Sequence, residues 1–105
     1  MNTDKLILSA ASIVVRRGGV VAVEVDGEIV ALNAEMRTCY GLNKVGSHVW
    51  RLIAEPSRVG DICTSLVREY DVEHATCERE VLKLLQELHD EELIEAVATT
   101  SPSRT

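Results

Sequence analysis

The sequence predicts an α+β domain in which a few short strands come first and three helices follow. Three observations predict it. Up to about Gly41 the apolar residues fall in short β-branched runs, and beyond it they recur at helical spacing. Asp26-Gly27 separates two of the early runs, and a two-residue type I′ turn needs residues that accept positive φ at both central positions. Strands and helices are segregated along the chain, which is the order of an α+β domain and not of repeated β-α-β units.

The elements follow in order. Ser12 to Arg17 (SIVVRR) is an extended segment ended by Gly18-Gly19. Val20 to Val25 (VVAVEV) and Glu28 to Leu32 (EIVAL) are the arms of the hairpin, and Asn33 to Arg37 is a polar connection to a short strand, Thr38 to Leu42 (TCYGL). Together these make a small antiparallel meander. Asn43 is a candidate N-cap for a helix over Lys44 to Ala54, with Val45, Val49, Trp50 and Ile53 on one side and Pro56 at the exit. A second helix spans Gly60 to Tyr70, with Ile62, Leu66, Val67 and Tyr70 together. The longest helix runs from His74 or Ala75 to about Leu93, with a stripe of Cys77, Val81, Leu84 and Leu88. Leu82 and Leu85 widen that stripe, either as a thicker core or as a second contact surface. The first eleven residues and the last nine, from Val97 on, have the composition of frayed ends, leaving residues 12–96 as the domain.

Composition excludes several function classes. The chain has 105 residues, 46% of them apolar, enough for one core and too few for two. It lacks Phe and has one Trp, so the core is aliphatic. With 11 Lys and Arg against 17 Asp and Glu, the net charge of −6 is wrong for neutralising phosphates, and the basic residues are scattered. No apolar run reaches the roughly 18 residues of a membrane span, and the N-terminus lacks a secretory pattern, so a cytoplasmic protein is expected. Cys39, Cys63 and Cys77 form no CxxC, and His74 with Cys77 supplies only two of the ligands a closed metal site needs. No nucleophile elbow or phosphate-binding glycine loop occurs. The carboxylates Glu87, Asp90, Glu91, Glu92 and Glu95 have the spacing of a solvated helix end. The expectation is a binding module without catalytic residues, metal or cofactor.

One family resemblance sharpens this. Val25-Asp26-Gly27-Glu28-Ile29-Val30-Ala31-Leu32-Asn33 leads to Thr38-Cys39-Tyr40-Gly41-Leu42-Asn43, then Val45-Gly46 and Val49-Trp50-Arg51-Leu52-Ile53. Val59, Asp61-Ile62, Leu66, Glu69-Tyr70-Asp71-Val72, Glu87-Leu88 and Glu92-Leu93-Ile94 complete the order. This order resembles the PqqD-like family of precursor-peptide recognition elements over nearly the whole chain. The resemblance implies a winged helix-turn-helix-like domain with a three-stranded antiparallel sheet and three helices. It implies binding of the leader segment of a ribosomally made precursor peptide, which is handed to a modifying enzyme: a leader protease and cyclase, or a radical enzyme. The chain resembles a free-standing member, and a lasso-peptide setting is favoured over pyrroloquinoline quinone synthesis.

Peptides of this kind add a strand to a sheet edge. Carried onto this chain by the resemblance, the edge is Thr38, Cys39, Tyr40, Gly41 and Leu42. The facing wall is the outer row of the last helix: Leu82, Leu85, Gln86 and His89. Cys39 stands where an aromatic or apolar residue is expected, and the smaller side chain is expected to open a pocket for a bulky leader residue. Other readings remain: Tyr40 as core against Trp50, Gly41 as a bulge or relief of crowding, Arg16 and Arg17 as solvated charges or contacts to an acidic leader. At the level of function the alternatives are a winged-helix DNA-binding regulator, a small thiol enzyme using Cys39, and a structural subunit.

Overall fold

The computed structural model describes residues 7–97. Strands β1 (Ile13–Arg16), β2 (Val21–Val25), β3 (Glu28–Asn33) and β4 (Thr38–Leu42) come first. Helix α1 (Lys44–Leu52), the two-residue strand β5 (Ser57–Arg58), helices α2 (Val59–Tyr70) and α3 (His74–Asp90) and strand β6 (Ile94–Val97) follow.

Asp26 and Gly27 adopt φ of 54° and 83°, as a type I′ turn requires, and the hairpin they form pairs Val25 with Glu28. β3 then pairs antiparallel with β4, from Ile29 opposite Leu42 to Asn33 opposite Thr38, without a bulge at Gly41. The three-stranded antiparallel sheet is therefore in the order β2-β3-β4. Its inner face buries Ile29, Ala31, Asn33 and Leu42 beneath the helices.

β1 does not extend this meander. It forms a second antiparallel sheet, β5-β1-β6, pairing Val14 with both Ser57 and Ala96. The reversal at Gly18-Gly19 turns the chain out of that sheet, and the main-chain N–H groups of Arg16 and Arg17 donate to the carbonyls of Ile53 and Leu93. Residues beyond Asp90, expected to continue a helix and then fray, turn at Glu92 (φ 63°) and form β6. Part of the expected loose N-terminal segment is also tied down. Leu8 is buried, its N–H donates to Gln86 Oε1 at 3.0 Å, and the N–H groups of Val59 and Gly60 donate to the carbonyls of Ser12 and Ala10. Residues 1–6 and 98–105, most of both expected tails, lie outside the described residues.

α1 is capped as its sequence requires: Asn43 Oδ1 accepts from the Gly46 N–H at 2.8 Å. α2 ends at Asp71 in a left-handed conformation, and α3 begins three residues later. One core runs from Leu8 to Ile94 through Trp50, Ile53, Ile62, Leu66, Leu85 and Leu88. Trp50 is core as expected. Tyr40 is half-buried against the same core, and the guanidinium of Arg16 lies over the Trp50 ring, 5.0 Å from its centroid, while its Nε donates to the Trp50 carbonyl at 2.9 Å. Burial lowers the Arg16 pKa from its usual value. Arg17 forms an ion pair with Glu92.

Candidate functional site

β4 is an edge of its sheet. The residues flanking a two-residue hairpin, here Val25 and Glu28, form a hydrogen-bonded pair, and the main-chain groups of an antiparallel ladder alternate in direction from there. That alternation sends the main-chain groups of Ile29, Ala31 and Asn33 toward β4. Those of Tyr40 and its neighbours two residues away face back to β3, and the N–H and C=O of Cys39 and Gly41 point outward. The Ser47 hydroxyl sets the end of the ladder: it accepts from the Ile29 N–H at 2.8 Å and donates to the Leu42 carbonyl at 3.2 Å.

The start of β4 is stitched to the C-terminal end of α3. The Tyr40 hydroxyl donates to the Glu87 carboxylate. The Thr38 hydroxyl donates to the Glu91 carbonyl at 2.7 Å, and the Asn33 amide donates to the Glu92 carbonyl at 2.8 Å. The hydrogen bond to Glu87, then burial, pushes the Tyr40 pKa up to about 12, so the donor keeps its proton at neutral pH. Toward the other end of β4, strand and helix enclose a groove of about 220 Å³ lined by Tyr40, Gly41, Leu42, Val45, Val49, Glu80, Val81 and Leu84 among others. Val45, Glu80 and Val81 also border a second, apolar hollow of about 190 Å³ that reaches Leu66, Tyr70 and Val72. The arrangement is a strand edge unpaired among the described residues, beside a greasy trough with carboxylates on its helical rim.

The expected strand residues fall on this edge, but not every side chain faces the groove. Thr38, Tyr40 and Leu42 turn inward. Cys39 is exposed and shares the outer face of the sheet with Leu32, its cross-strand partner, so its small side chain opens no pocket toward α3. A Cβ added at Gly41 would meet nothing within 4 Å, so this glycine relieves no crowding.

The four helical residues expected as the wall do not line the groove beside β4. Leu85 is fully buried in the core. Gln86 bonds the N-terminal segment at Leu8, and His89 lies beside Arg17, Ile94 and Ala96 near β6. Leu82, Gln86 and His89 share one face of α3. At 3.6 residues per turn, Leu84 lies about 160–200° around the helix from Leu82 and Gln86, and Glu87 about 100–140°. The wall facing β4 is therefore Glu80, Val81, Leu84 and Glu87. The signal for this face in the sequence was the i, i+4, i+7 spacing of Glu80, Leu84 and Glu87.

No group of three His, Cys, Asp or Glu among the described residues could hold a metal ion. Burial pushes the Cys63 thiol up to about 12 and raises Cys77, so both are inert thiols at neutral pH. No helix among the described residues is long and apolar enough to cross a membrane.

The family described as coenzyme PQQ synthesis protein D (PqqD) matches residues 28–94, from the start of β3 to the start of β6. The chain belongs to the PqqD family. Among solved structures, TbiB1 in complex with the TbiA(beta) leader peptide is 34% identical, with a TM-score of 0.73, over 81% of this chain and 99% of that one. A lasso peptide synthetase B1 complexed with its leader peptide is 20% identical (TM-score 0.69; 78% and 96% covered) and shares the PqqD fold. So does the PqqD truncation of Methylobacterium extorquens PqqCD, a functional, stand-alone recognition element for ribosomally synthesized and post-translationally modified peptides. It is 24% identical, with a TM-score of 0.70 and coverage of 83% and 93%. No curated protein matches the chain.

Proposed function

We propose that this PqqD-family chain binds the leader segment of a ribosomally made precursor peptide by strand addition at β4, and that it is a recognition module and not a catalyst. The observation that carries the proposal is the β4 edge, unpaired among the described residues, with the N–H and C=O of Cys39 and Gly41 directed outward, beside the groove over Val81 and Leu84. A leader is extended and flexible before binding. Main-chain bonds to β4 give sequence-tolerant affinity, and the groove takes alternate side chains of the added strand. Thr38 and Tyr40 contribute by holding β4 against α3; Gly41 and Leu42 contribute backbone and floor. Leu82, Leu85, Gln86 and His89 stand outside the groove, and Glu80, Val81 and Leu84 take the place assigned to them.

The 34% identical TbiB1 was solved with a leader peptide bound, which supports the reading. A lasso-type setting is favoured over quinone cofactor synthesis. Identity to TbiB1 exceeds the 24% to the PqqD domain, and TbiB1 shares the B1 designation with the lasso peptide synthetase.

The test is titration of the purified chain with a labelled leader from the precursor encoded beside its gene, followed by fluorescence anisotropy. The expected affinity is micromolar to nanomolar, about −8 to −12 kcal/mol. Gly41→Pro removes an outward N–H that the sheet does not use, at an edge position where an added Cβ meets nothing within 4 Å, so the fold is expected to tolerate it. It is expected to weaken the leader at least tenfold with an unchanged melting temperature. Unchanged leader affinity in that variant would rule out strand addition at β4.

A further inference from the structure

The alternation of β2 is inverted relative to a strand that only serves its own core. Val21, Val23 and Val25 point outward and are 55–61% exposed, whereas the opposite side of the strand carries Ala22 and Glu24. Cross-strand pairing puts Val30 opposite Val23 and Leu32 opposite Val21, both at least 40% exposed. Five aliphatic side chains thus form one continuous face, on the side of the sheet away from the helices. The face of an antiparallel sheet turned to water is ordinarily polar. β-Propensity accounts for a valine at such a position, but threonine serves it equally and Leu32 does not need it.

We propose that this outer face docks a separate protein, the enzyme that acts on the bound peptide, whose matching surface is an apolar patch with basic groups at its margin. The patch is two strands wide and about five residues long, about 10 by 17 Å at ordinary strand spacings. This is roughly 170 Å² of flat area, well below the ~800 Å² per partner of a stable interface. A second copy bound through this face alone is too small a contact, and it would set one chain of charge −6 against another. A larger partner that overruns the patch meets neither limit. The end of the hairpin bordering the patch carries exposed Asp26 and Glu28, which calls for lysine or arginine opposite. The location also suits such a partner, because Cys39 and Gly41 of β4 border the face through their pairing with Leu32 and Val30. A protein lying there reaches the peptide edge without filling the groove. The identity of the partner, though not the docking face, rests on the peptide-binding reading above.

The test uses the full chain with the purified modifying enzyme encoded in the same gene cluster, measured by biolayer interferometry, and the labelled leader measured in parallel. Val23→Lys and Val23→Thr, the latter keeping strand propensity, are expected to weaken the enzyme at least tenfold and threefold, with leader affinity within twofold of the parent. Glu28→Lys and added salt should each weaken the enzyme further. Enzyme binding unchanged in both Val23 variants, or no binding by the parent chain with or without leader, overturns the proposal. So does a dimer in sedimentation equilibrium that Val23→Lys dissolves, which would make a second copy the occupant. Loss of leader binding alone, with the enzyme still sensitive to Val23, would sink the groove reading and leave the docking face standing.

Discussion

At the scale of single residues, the site depends on a few side chains that replace main-chain partners. Ser47 is the clearest case: its buried hydroxyl joins the Ile29 N–H to the Leu42 carbonyl and so bonds β3, β4 and α1 at one point. Ser47→Ala leaves a buried donor without a partner and is expected to cost about 1–3 kcal/mol in denaturant unfolding. Tyr40 acts at the other end of β4. Folding raises its pKa from 10.0 to about 12, so the folded state favours the protonated phenol. That contribution is full below pH 10 and is lost as pH rises through 10 to 12. Tyr40→Phe should be less stable than the parent at pH 7, by about 1 kcal/mol, and the gap should close between pH 10 and 12 in pH-dependent melts. A gap that persists to pH 12 would mean the hydroxyl contributes nothing through its proton.

At the scale of elements, the choice of face on α3 decides the site. Leucines occupy positions 82, 84, 85 and 88, and two stripes fit a helix equally: 77, 81, 84, 88 and 77, 81, 85, 88. The structure uses the second, burying Leu85 and leaving Leu84 half-exposed at the groove. The expected stripe thus exchanged one leucine for its neighbour, and the groove beside β4 is lined by Leu84 and not by the expected wall residues. This gives a paired prediction. Leu84→Gln should weaken the leader at least tenfold in anisotropy, and Leu82→Gln should leave it within twofold, though both replace half-buried leucines. The reverse ranking would return the wall to the face of Gln86 and His89. The β2-β3-β4 meander, by contrast, was legible strand by strand, because Asp26-Gly27 sets its register locally.

At the scale of the whole molecule, the two ends of the described chain share the core. β6 pairs with β1 across about eighty residues of sequence, and Leu8 docks in the C-terminal half of α3. Neither was legible: IEAV is too short for a periodic signal, and its pairing partner is remote. Ile94 is 1% exposed where β6 leaves the turn. Ile94→Ala should cost about 2–4 kcal/mol, a large share of the 5–15 kcal/mol typical of a domain. It should lower the melting temperature in a single transition seen equally by circular dichroism and by Trp50 fluorescence. Two separated transitions would show that the β5-β1-β6 sheet is a unit independent of the rest.

The amino-acid order alone determined what local physics can specify: the hairpin at Asp26-Gly27, the Asn43 cap, three amphipathic helices, an aliphatic core without Phe, and a net charge of −6. Each of these depends on neighbours within a few residues or on composition. The tertiary fold decided which of two adjacent leucines lines the groove, where β1 pairs, that Leu8 and β6 belong to the core, and that Cys39 faces away from α3. Those outcomes depend on contacts between segments tens of residues apart, where several arrangements satisfy the same local pattern and only packing of the whole chain selects one.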